Sequence, residues 1–317
     1  MRNESIELFR CLCMFGVVLL HSLTQGGYAE GHRGLDNLMS PGVVGFIFIS
    51  GWFGIRFKWS GVLKLLGIGF ACWLTLAVLN RDFTSSFGIG GYWWFLWMYL
   101  ALMALAPLVE PFVNEINGGG QNRKVMPFLL VIFGWSYFAT KVPFFKEWVP
   151  SVDGFSPFGV LTFLGVYVAA RVVSRVEVEK WRTWWLVCAA VLSGAACWVG
   201  FCHYNSPFAL IFAGSVFLIV KRMGTCFNAE TQRVLLCLRR LVMWLGPSMF
   251  SVYLLHTNGA GFELLREAEN RMMEQGWNYY AMAFVLASAI FVGCIVLDLP
   301  RRGVVKLLTQ RHGGAEK

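Results

Sequence analysis

Glu7, Arg10 and His21 lie in a stretch otherwise made almost wholly of Leu, Val, Phe, Met and Cys. Ionisable groups inside an apolar segment of membrane-span length are costly to place in lipid, and by default they mark a functional site with a partner nearby. On a helix Glu7 and Arg10 are three apart, close enough to pair and to reduce each other's desolvation cost. Arg10 and His21 are eleven apart, so 3.6 residues per turn returns them to nearly the same face, with the imidazole roughly 16 Å farther along the axis. The chemistry on offer is an anion held by the guanidinium at one depth and proton transfer through the imidazole at another.

The elements that must position these groups are membrane helices. Of 317 residues, 57% are hydrophobic and only 14% are charged, with 16% aromatic and a mean hydropathy of +0.58. Soluble domains carry about 25% charged residues. The apolar excess comes in runs of span length, predicting an all-α, polytopic protein in a single domain over 1–317 with about ten spans. These fall near 6–25, 39–57, 61–79, 92–113, 125–143, 155–174, 183–202, 206–221, 240–258 and 278–299. The first reads as an uncleaved span, because no small-x-small cleavage site follows His21. Gly246-Pro247 predicts a kink in the ninth. Gly118-Gly119-Gly120 lacks the Lys-Ser/Thr of a phosphate-binding loop and reads as a linker.

Charge sets the orientation. With the N-terminus inside, only Arg33, Arg81, Lys141, Lys146, Arg266 and Arg271 of the 27 basic residues fall outside. That bias places both termini in the cytoplasm, and the expected location is the plasma (inner) membrane. The net charge of +9 is accounted for by span ends and comes with no nucleic-acid motif. The nine cysteines have no metal-ligand spacing and read as small hydrophobes within spans. Arg10 then sits near the cytoplasmic end of the first span and His21 in its outer half. His256 and Asn258 lie near the outer end of the ninth span. Arg56, Lys58 and Lys64 gather at the cytoplasmic turn between the second and third.

Glu7-Leu-Phe-Arg10, followed after ten residues by His21, resembles the first-helix signature of the membrane-bound acyltransferase-3 family. The likeness continues in Val44-Gly-Phe-Ile-Phe-Ile-Ser50-Gly51 and in Trp94-Phe-Leu with Pro107 ending that span. It extends to Tyr204-Asn205-Ser-Pro207 and Ser251-Val-Tyr253-Leu-Leu-His256. The chain departs from the pattern in having Glu7 where many members carry Asp. It also offers Arg56, Lys58 and Lys64 where many have an Arg-x-Arg cluster. No esterase-like domain follows the tenth span, so transfer is expected to finish within the membrane unit or on a separate partner.

The resemblance implies transfer of an acyl group, usually acetyl, from cytoplasmic acyl-coenzyme A as co-substrate to a hydroxyl of a surface or lipid-linked saccharide. His21 would be the general base, Arg10 the donor ligand or oxyanion stabiliser, and Glu7 the group that orients Arg10. Arg56, Lys58 and Lys64 would meet the donor phosphates. Ser50, Trp94, Tyr204, Asn205, Tyr253, His256 and Asn258 would bind the acceptor or support His21, and an acyl-histidine or acyl-serine relay stays open. Plainer readings stand beside these. Glu7–Arg10 can be an interfacial ion pair, and His21 can be an interfacial histidine bonded to backbone. Ser50-Gly51 can be a close helix contact. The basic turn can be orientation charge, and Tyr92, Trp93, Trp94 and Trp148 can be interface anchors. The competing function is a transporter or flippase for a lipid-linked saccharide, using the same groups as a proton or substrate path.

Overall fold

The computed structural model describes residues 3–25, 33–83, 93–114, 122–135, 137, 158–226 and 233–313, and every regular element among them is helical. In chain order these are α1 (Glu4–Thr24), α2 (Arg33–Met39), α3 (Gly42–Phe53), α4 (Trp59–Asn80), α5 (Trp94–Asn114) and α6 (Asn122–Leu129). There follow α7 (Val160–Val173), α8 (Thr183–Trp198), α9 (Pro207–Cys226), α10 (Arg233–Leu245), α11 (Met249–His256), α12 (Gly259–Glu274) and α13 (Tyr279–Gly313). The stretches Glu4–Thr24, Trp59–Asn80, Trp94–Pro111 and Tyr279–Leu307 are each long and apolar enough to cross a bilayer, and α7 and α8 are shorter apolar helices. Phe70, Leu74, Val191, Leu192, Val285 and Val292 are exposed on these helices. Lipid, not water, is the solvent that such surfaces fit. This is an integral membrane protein with multiple spanning helices. The Gly118–Gly120 linker, Tyr92, Trp148 and the stretches 138–143 and 155–157 of the expected fifth and sixth spans lie outside the described residues.

Helix α1 is the axis of the bundle. Its apolar window is 67% buried, against 17% for α4 and 28% for α5 and α13. It starts at Asn3, whose side chain accepts from the Ser5 N–H at 3.0 Å and so satisfies one of the free donors of the first turn. Around it pack α2, α3, α9, α10, α11 and α13.

Three expected spans differ from the helices that form. Of the run 39–57 only Gly42–Phe53, the 12-residue α3, forms one helix, and Ser40–Pro41 separates it from α2, which ends at Met39. At 1.5 Å per residue α3 reaches only about 18 Å, short of the roughly 30 Å hydrocarbon core. Gly51 lets it press on α7, since a Cβ there would sit 2.5 Å from the Tyr167 carbonyl oxygen. The packing reading of Ser50-Gly51 is what the backbone adopts. The run 240–258 is two helices, α10 and α11, joined by a 3-10 turn over Gly246–Ser248. The last helix continues through Pro300 to Gly313 instead of ending near 299.

Helix α12 lies between α11 and α13 and carries Glu263, Arg266, Glu267, Glu269, Arg271 and Glu274, too polar for a span. Glu269 is nonetheless buried, and its Oε1 has no hydrogen-bond partner among the described residues. Burial raises its pKa from 4.5 to about 7, with Arg266 opposing the rise. An acid whose pKa is raised on folding stays neutral in the native state while the unfolded chain has already ionised, so stability falls as pH rises between those values. Thermal unfolding in detergent is therefore expected to show a midpoint that declines from about pH 4.5 to about pH 7, and Glu269→Gln is expected to flatten that decline.

Candidate active site

Glu7 is buried, and both its oxygens accept from Arg10 Nη1, at 2.6 and 2.7 Å. The second wall of this pair is the 3-10 turn. A Cβ on Gly246 would collide with the Glu7 carboxylate, so only glycine lets the turn approach. From behind, Arg301 ties down the same turn. It forms an ion pair with the buried Asp298 at 2.6 Å and donates to the Pro247 carbonyl at 3.3 Å. Arg302 donates to Ser248 Oγ, also at 3.3 Å. Arg10, held by Glu7 through Nη1, also lines a cavity. That cavity, about 400 Å³, is also lined by Ser50, Lys64 and Tyr99. Ser50 Oγ donates to the Phe46 carbonyl at 3.1 Å, so it receives the Tyr99 hydroxyl proton at 3.0 Å. A serine whose proton is committed to a carbonyl is not set up as a nucleophile.

Farther along α1, His21 meets His256 of α11. His256 Nδ1 is 2.7 Å from the Val252 carbonyl oxygen, and His21 Nδ1 is 2.8 Å from His256 Nε2. A carbonyl only accepts, so in a neutral pair His256 carries its hydrogen on Nδ1 and accepts through Nε2. His21 must then donate from Nδ1, which leaves Nε2 with the free lone pair. His21 lines a second cavity of about 290 Å³, whose walls include Trp94, Phe158, Tyr204 and Tyr253. The Trp94 and Tyr204 rings are stacked at 5.8 Å and 19°, and Phe158 meets both edge-on. The start of α5 is docked on α11, with the Phe95 N–H donating to the Tyr253 hydroxyl at 3.1 Å and Trp93 Nε1 to the Leu254 carbonyl at 3.0 Å. Phe46, Phe95 and Phe250 line both cavities and so form the wall between them.

The expected residues thus divide. Arg10, Ser50 and Lys64 line one cavity with Glu7 behind Arg10, and His21, Trp94, Tyr204 and Tyr253 line the other with His256 behind His21. Arg56 and Lys58 are exposed on the turn before α4 and line neither. Asn205 is fully buried outside the cavity linings. Asn258 caps α12, accepting from the Gly261 N–H at 2.7 Å and donating to the Leu255 carbonyl at 2.6 Å, and does not line the cavity of His21.

Two groups escaped the sequence reading. Tyr99 carries no ionic signal. Glu110 does, being a carboxylate in a span. It pairs with Arg171 at 2.8 Å and Arg175 at 3.7 Å, and accepts from the Tyr167 hydroxyl at 2.5 Å. That hydroxyl in turn accepts from the Ile55 N–H at 3.0 Å, closing the ends of α3, α5 and α7 together.

A family model described as an acyltransferase domain, Acyl_transf_3, matches residues 3–299. The chain belongs to the acyltransferase 3 family. The transporter reading gives way to acyl transfer, and the acyltransferase needs an acyl donor. No curated protein and no solved structure matches the chain.

The directed histidine pair makes a measurable statement about the acyltransferase. Nitrogen NMR of selectively labelled histidine is expected to show His21 as the Nδ1–H tautomer, and His256→Ala is expected to release it to a mixture of both. A fixed Nε2–H form in the wild type would contradict the geometry.

Proposed function

We propose that this acyltransferase moves an acetyl or similar acyl group from acyl-coenzyme A on the cytoplasmic side to a hydroxyl of a saccharide on the outer side of the plasma membrane, across about ten spans with both termini inside. The observation that carries the reading is the unprotonated Nε2 of His21 on the wall of an aromatic cavity, back to back with the cavity of Arg10 and Lys64.

A sugar presents apolar C–H faces and hydroxyls, and a stack such as Trp94–Tyr204 suits the first while an imidazole suits the second. His21 Nε2 takes the proton of the acceptor hydroxyl as its oxygen forms a bond to the thioester carbon. The tetrahedral intermediate then collapses with cleavage of the C–S bond. The proton on Nε2 goes to the departing thiolate, so the imidazole ends as it began. His256 holds the tautomer and lets the ring keep its orientation through this exchange. Arg10 and Lys64 bind the anionic donor, and Glu7 keeps Arg10 in place. The acyl end of the donor must cross the wall of Phe46, Phe95 and Phe250 to reach His21. Transfer in this scheme uses no acyl-serine, since the Ser50 proton is committed to the Phe46 carbonyl.

Membranes given labelled acetyl-coenzyme A and saccharide test this. His21→Ala is expected to lower transfer by about 10²–10⁴-fold with abundance unchanged. His256→Ala is expected to lower kcat, with rescue by His256→Gln, whose side-chain oxygen can still accept from Nδ1. Arg10→Ala is expected to raise KM for the donor more than for the acceptor. Wild-type transfer by His21→Ala would overturn the assignment of the base.

A further inference from the structure

A third cavity, about 600 Å³, lies where the 3-10 turn Val178–Lys180, the start of α8 and the end of α9 meet. It shares no lining residue with the cavities of Arg10 and His21. Arg182, Lys221 and Arg222 line it with one carboxylate, Glu179. Lys221 Nζ is 3.1 Å from Glu179 Oε1 and sits 5.0 Å over the Trp52 ring. Arg222 donates to Thr183 Oγ1 at 2.9 Å and to the Val178 carbonyl, so its guanidinium is held in place at the cavity wall. Three cations against one anion leave the chamber with an excess of positive charge on the face that the basic residues assign to the cytoplasm.

The surroundings say what kind of anion fits. Trp181 lines the cavity, and Trp184 and Trp185 follow it, stacked at 3.7 Å; all three are exposed. Indoles of this sort collect at the level of lipid headgroups. Beyond them along α8, Val187, Val191 and Leu192 are exposed as well, a strip for an acyl chain running from the cavity into the bilayer. We propose that the cavity of Arg182, Lys221 and Arg222 binds the phosphate of an anionic phospholipid whose tails lie along α8. Basic pockets at the cytoplasmic ends of membrane helices favour such headgroups. The site stands apart from the transfer chemistry, and its test reads binding alone.

The full chain, purified in neutral detergent, is given phosphatidylglycerol or phosphatidylcholine in mixed micelles, with retained lipid read by native mass spectrometry and stability by thermal unfolding. Phosphatidylglycerol is expected to stay bound and raise the midpoint, less so at high salt, while phosphatidylcholine does neither. Arg182→Gln and Lys221→Gln are each expected to weaken phosphatidylglycerol binding about fivefold. Arg271→Gln, an exposed charge on α12, is expected to leave it unchanged. Equal retention of both lipids, or unchanged binding in both cavity variants, would overturn the proposal. So would equal stabilisation by inorganic phosphate, which would make the cavity a site for free anions. Competition by acetyl-coenzyme A would make it part of the donor path and would overturn the lipid assignment too.

Discussion

A charged or polar group on α1 loses the water that would otherwise satisfy it, and the rest of the bundle is arranged around replacing that water. Glu7 takes Arg10, and His21 takes His256. One later segment lies against both groups. Gly246 lies against Glu7, and His256, ten residues on, lies against His21. The segment therefore runs alongside α1 in the same direction, one end at each polar depth. Removing His256 would strand the buried Nδ1 donor of His21, and leaving such a group without its partner costs about 1–3 kcal/mol. That penalty couples the first helix to the last third of the chain.

The break in that segment follows from the same constraint. The Cβ of any other residue at 246 would stand on the Glu7 carboxylate, and Pro247 after the glycine interrupts the regular hydrogen bonds. The carbonyl and hydroxyl this leaves are met by Arg301 and Arg302 from α13. The ion pair with Asp298 orients Arg301 for this. The final helix thus acts as a buttress two layers from the site, and Glu110 with Arg171, Arg175 and Tyr167 does comparable work where α3, α5 and α7 end.

Two depths of polar chemistry need two chambers, and the wall between them is aromatic. Phe46, Phe95 and Phe250 come from three different helices, α3, α5 and α11, and each borders both cavities. Their packed rings make the barrier between the chambers apolar.

The sequence by itself determined the all-helical membrane class and the face of α1 that carries Glu7, Arg10 and His21. These are properties of composition and of 3.6-residue spacing, which survive whatever the neighbours do. Tertiary structure alone decided that His21 Nε2 is the free nitrogen, because that depends on a carbonyl at Val252 and an imidazole at His256 meeting a ring 235 residues away in the chain. It alone took Arg56 and Lys58 away from the cavity of Arg10, and gave Asn258 to a helix cap. Spacing along a helix fixes which residues share a face, but not which face another helix covers. That choice belongs to packing among segments far apart in the chain, and neither the Phe wall nor the lipid-level cavity of Arg182, Lys221 and Arg222 has any local signal to announce it.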